Sequence, residues 1–103
     1  MKNFVLTAFD YTDEQALDRR MAVRQDHIKF IDELRDQRKA LLGAAILDDS
    51  GKMIGSTIFF QMTQGELDEY MKTEPYITQN VWEKIEIKEC KIGPSFIEAL
   101  VGK

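Results

Sequence analysis

Proton chemistry in this chain is confined to one imidazole. His27 is the only histidine among 103 residues. Histidine ordinarily titrates near neutral pH, which suits it to general acid or base work. At 100° per residue, Val23, His27, Ile31 and Leu34 fall within about 40° of one line. The ring therefore lies on the apolar stripe of a helix or at its edge. Two readings stand: a core or rim histidine satisfied by a backbone carbonyl, or a catalytic one. The catalytic reading needs a carboxylate to orient the ring. Asp36 lies about 180° around a continuous helix from His27 and can meet it only if the helix ends first. Glu74 precedes Pro75 at a helix break, where it could approach from a neighbouring helix or stand as an exposed turn carboxylate. Ser56 follows Gly55 at the start of a strand. Such a pair lets a ligand or another backbone come close, or marks a bulge. Arg24, one turn before His27, could bind a substrate anion. Arg20 and Arg24 also read as ordinary solvated helix residues.

Other chemistries lack their residues. One histidine and one cysteine, Cys90, cannot build a common structural zinc site, so neither a metal nor a cofactor is expected. No Walker loop, dinucleotide fingerprint or EF-hand loop is present. The net charge of −4 repels phosphate backbones, which argues against nucleic acid as a partner. No apolar run approaches the ~20 residues of a bilayer span, so no membrane partner is expected. The apolar stretch after Lys2 is too short for a signal peptide. A single cysteine makes no internal disulfide and fits a reducing cytoplasm.

The elements that must position these groups follow from pattern. Apolar content of 44% and charge of 31% are globular averages, and the length predicts one domain over 1–103. Residues 3–9 read as a strand. Thr12 and Gln15 have capping-box spacing, which opens a helix over 13–38. That rod is long for a small domain, and a kink or break is expected near Arg24-Gln25-Asp26. Residues 40–47 and 53–61 read as a hairpin about the Asp48–Lys52 turn. Thr63 and Glu66 form a second capping box, opening a helix that Glu74-Pro75 ends. Pro75 starts a further turn, and Asn80 suits its left-handed close. Residues 81–92 alternate as a fourth strand, with Trp82 expected on the face opposite Ile85 and Ile87. Residues 95–101 form a terminal helical turn. The order βαββαβ predicts an α+β, ferredoxin-like fold: a four-stranded antiparallel sheet with helices on one face. The other face, bearing Trp82, would be covered by a second copy, which makes a homodimer.

In Arg24-Gln25-Asp26-His27-Ile28, Gly55-Ser56 and Glu74-Pro75-Tyr76-Ile77-Thr78-Gln79-Asn80-Val81, the chain resembles the YciI-like (YCII-related) family. The resemblance runs from the first strand to about Lys91. It implies a small dimeric ferredoxin-like protein with a His/Asp active site, and a few such relatives are lyase-like, including a dehydrochlorinase of aromatic catabolism. Carried over, it makes His27 and Glu74 catalytic, keeps Asp36 as the second-choice partner, and gives Ser56, Arg24 and Tyr76 to the substrate. Here Glu74 stands where the family has Asp, and Asn80 where it has Gly. The function expected is general acid/base chemistry, lyase- or hydrolase-like, on a small anionic or aromatic molecule. The alternative is a non-catalytic dimeric domain that binds a small ligand or a protein.

Overall fold

A computed structural model describes residues 1–101. Its elements are β1 (Lys2–Asp10), α1 (Ala16–Asp36), β2 (Ala40–Leu47), β3 (Met53–Met62), α2 (Gln64–Thr73), the single turn α3 (Pro75–Thr78), β4 (Trp82–Cys90) and α4 (Pro94–Val101). The strands form one antiparallel sheet in the order β2-β3-β1-β4. This is the ferredoxin-like α+β fold. Among the described residues, no helix is long and apolar enough to cross a membrane.

Alternation along the two central strands sets the core. Phe4 pairs with Phe60, Leu6 with Ile58 and Ala8 with Ser56, and all six are buried. Directly paired residues share a face, so these rows lie together beneath α1, α2 and α3. Tyr70, Leu67, Tyr76 and Val81 join the same core. The opposite face carries Val5, Phe59 and Leu42 in one row. At Gly55 a Cβ would stand 2.4 Å from the Ala8 carbonyl oxygen, so only glycine lets β3 and β1 run this close.

The turns follow their residue chemistry. Asp48 accepts from the backbone N–H groups of Ser50 and Lys52, and Gly51 takes φ +88°. Asn80 closes α3 at φ +59°. Thr63 and Glu66 form the reciprocal capping box that opens α2.

Three expectations are corrected. Thr12 caps nothing. The Tyr11 N–H donates to the Val81 carbonyl, which draws the chain along the lead-in to β4. The helix starts only at Ala16, behind Gln15, with no side-chain cap. Asp13 instead accepts from the Gln15 N–H and grips Arg19. Nor does α1 break at residues 24–26; it runs unbroken to Asp36, because no Gly or Pro interrupts it. Finally, Trp82 lies on the helix-covered face. A register shift pairs Asp10 with Trp82 but Phe9 with Lys84. This bulge brings Trp82 to the side of Ile85 and Ile87 and buries it.

Candidate active site

Glu74 is the joint of the site. Proline disfavours the helical conformation in the residue before it, and Glu74 accordingly sits at φ −59°, ψ 121° between α2 and α3. Its side chain turns inward and is fully buried. An ionised carboxylate there must be surrounded by donors, and three converge. The Tyr76 N–H reaches Oε1 at 3.1 Å, so the same group caps α3. The Tyr70 hydroxyl, four residues earlier on α2, donates to Oε2 at 2.6 Å. His27 Nδ1 lies 2.6 Å from Oε1. Burial, and then the Glu74 charge, push the Tyr70 phenol well above its usual range, so this hydroxyl stays a donor.

The acceptor character of Glu74 assigns the proton of neutral His27 to Nδ1. The ring is clamped on its face and its edge. Tyr76 stacks on it at 3.9 Å and 9°, and Trp82 meets it edgewise at 6.0 Å. Nε2 is then the nitrogen left for chemistry. His27 lines a cavity of about 360 Å³ beside β2 and β3, within the usual range for small-ligand sites. Ile28, Ile31 and Ile58 supply apolar wall, and Arg24 and Ser56 add polar groups. The Arg24 side chain has no hydrogen-bond or ion-pair partner among the described residues.

The structure thus brings together His27, Glu74, Ser56, Arg24 and Tyr76. It does not bring in Asp36. That residue ends α1, exposed, and pairs with Arg35; the unbroken helix turns it away from His27. The reading of Arg20 as a solvated residue is also corrected. Arg20 is 3% exposed and donates from Nη1 to both oxygens of buried Asp10, at 2.9 and 3.1 Å. Nη2 donates to Ser56 Oγ at 2.8 Å, and the guanidinium lies 4.8 Å from the centre of the Tyr76 ring. Burial raises the Asp10 carboxyl, and the Arg20 charge offsets part of that rise.

Asp10, Arg20, Tyr70 and Trp82 are site residues that sequence reasoning missed. A signal existed for two of them. Asp10 continues the inward series Phe4, Leu6, Ala8, and Arg20 lies two turns before His27 on the same helical line. Among the described residues, no cluster of three or more His, Cys, Asp or Glu side chains is placed to hold a metal ion.

Comparison with known proteins agrees with this architecture. Residues 4–91 match the model of the YCII-related domain. The fold is similar to the 5-chloro-2-hydroxyhydroquinone dehydrochlorinase TftG of Burkholderia phenoliruptrix, solved in complex with 2,5-dihydroxybenzoquinone. The two share a TM-score of 0.75 at 17% identity, over 90% of this chain and 97% of that one. An antibiotic biosynthesis monooxygenase gives 0.55 at 15% identity, over 91% and 100%. A dimeric ferredoxin-like protein of unknown function from Jannaschia sp. CCS1 gives 0.52 at 13%, over 89% and 100%. At such identities the likeness is one of fold. Among curated proteins, none matches the chain.

Proposed function

The chain belongs to the YCII-related domain family, and from that premise we propose that it is a small-molecule enzyme in which His27 is the general acid/base and Glu74 its orienting carboxylate. The observation that carries this is the 2.6 Å contact from Nδ1 to a fully buried carboxylate, made by a ring that lines a cavity. Nε2 takes a proton from the substrate, and the electron pair left behind forms the new double bond as the leaving group departs with its own bonding pair. Glu74 stabilises the imidazolium, which then gives its proton to solvent. This is the proton inventory of a lyase-like elimination, the reaction type in the name of the similar dehydrochlorinase. The unpaired Arg24 and the apolar wall favour a small anionic or aromatic substrate.

The test is elimination from halogenated hydroxyaromatic acids and hydroquinones, followed by product absorbance. General acid/base catalysis contributes typically ~10²–10⁴-fold. His27→Gln should therefore lose about 10²-fold or more in kcat, and Glu74→Gln should lose turnover with little change in KM. Turnover that survives His27→Gln removes the assignment.

We also propose that the protein acts as a homodimer, with the open face of the sheet as the contact. That face carries Val5, Phe59, Leu42 and Phe9 in rows set by the strand register, and 41% of Phe9 and 52% of Leu42 are exposed.

A further inference from the structure

Ser56 is buried, yet it lines the cavity. A serine hydroxyl has two acceptor lone pairs and one hydrogen to donate. Both lone pairs are taken: Arg20 Nη2 donates to Oγ at 2.8 Å and Trp82 Nε1 at 3.3 Å. Among the described residues no acceptor takes the hydroxyl hydrogen. Two donors on one oxygen also fix the rotor, because the hydrogen must point away from both. A ligand oxygen in the cavity that Ser56 lines is then the available acceptor. Arg20 is itself held by Asp10 through two hydrogen bonds, so the aim of Ser56 is set by a buried ion pair. A buried pair of this kind contributes little to stability, and a role in aiming the hydroxyl accounts for it.

We propose that Ser56 is a fixed hydrogen-bond donor for a ligand oxygen, with Asp10, Arg20 and Trp82 as the positioning residues that aim it. The preferred ligand oxygen is anionic. An anion accepts the short, strong bond, and Arg24 lines the same cavity with an unpaired positive charge. The ligand class is therefore a small phenolate, enolate or carboxylate whose oxygen meets Ser56 while its reacting atom meets His27 Nε2. This assignment rests on the reading of the cavity as a small-molecule site.

Each half of the claim has its own spectroscopic reporter, because the chain has one histidine and one tryptophan. The Trp82 indole N–H bonds directly to Ser56, and the His27 ring reports occupancy of the cavity. The probe is 4-nitrophenolate, at a pH where it is ionised, with uncharged 4-nitroanisole as its match in shape. In the unaltered protein the phenolate should shift both the His27 ring and the Trp82 indole resonances in nitrogen-15 spectra. The anisole should bind about tenfold more weakly or worse. Ser56→Ala should weaken phenolate binding about tenfold while the His27 ring still shifts at saturation. Ser56→Cys, which keeps the volume with a far weaker donor, should fall with it. If Ser56→Ala binds the phenolate as tightly as the unaltered protein and His27 still responds, Ser56 is not the donor and the cavity reading stands. Anisole bound as tightly as phenolate overturns the preference for an anion. A phenolate that moves neither resonance overturns both the cavity reading and this assignment.

Discussion

At the scale of the residue, the site depends on keeping a buried carboxylate fully satisfied. Glu74 has donors on both oxygens, and Tyr70 supplies the one at Oε2. Tyr70→Phe removes that donor and leaves a buried acceptor unpaired, at a cost of about 1–3 kcal/mol. The unfolding free energy from urea titration should fall by that amount, read as a lower midpoint at constant slope, and an unchanged midpoint would show that Tyr70 does not support the carboxylate. The pH dependence carries the opposite sign from an ordinary ion pair. The folded Tyr70 phenol titrates above its ordinary 10.0 because burial and Glu74 oppose its ionisation. The unfolded chain therefore releases this proton first, and stability falls as pH rises through 10. Tyr70→Phe should flatten that part of the curve. The Glu74 side chain reaches Tyr70 and His27 at once.

At the scale of the element, α2 matters because its C-terminus delivers Tyr70 and Glu74. Its N-terminus is secured by Thr63, which accepts from the Glu66 N–H, and by Glu66, which accepts from the Thr63 N–H. Lys39, just before β2, pairs with Glu66. The Lys39 hydrogen bond, followed by that of Thr63, lowers the Glu66 carboxyl from 4.5 to about 2. A lowered carboxyl stabilises the fold above its unfolded value, so this contribution is present above pH 4.5 and is lost as pH falls toward 2. Glu66→Gln should lower thermal stability at pH 7 and remove its decline across that acid window. An acid decline identical in Glu66→Gln would mean that another carboxylate dominates. These local signals explain what was legible. Capping boxes, pre-proline geometry, turn residues and strand alternation each act within a few residues, so the element order and the Glu74 joint could be read directly. The Trp82 face could not, because one bulge inverts the alternation and bulges depend on pairing with a distant strand. Arg20 was misread because charge outweighed position: its partner Asp10 lies on β1, on the far side of a turn. The Thr12 box failed because Tyr11 found a partner on the lead-in to β4.

At the scale of the whole molecule, the sheet has one face under α1, α2 and α3 and one face without them. After β4 the Ile92 N–H donates to the Asn3 side chain, and α4 continues to contact β2. The Val5, Phe59 and Leu42 row remains on the face opposite the core. Along β4 that face changes character, because Lys84, Glu86 and Lys88 stand there once the bulge has moved Trp82 away. A second copy would meet an apolar half flanked by mixed charge, a pattern suited to a specific contact rather than to open-ended aggregation. Light scattering at micromolar concentration should give twice the monomer mass, and Phe59→Lys, which puts a charge at the centre of the row, should halve it. The location of Trp82 adds a second readout. Its indole packs against Tyr76 and His27 beneath the helices, so dissociation should leave its fluorescence maximum unchanged. If the mass halves and the emission also moves to the red, the contact lies on the Trp82 side of the sheet. A monomer mass for the unaltered protein at that concentration would leave the apolar row without a second copy.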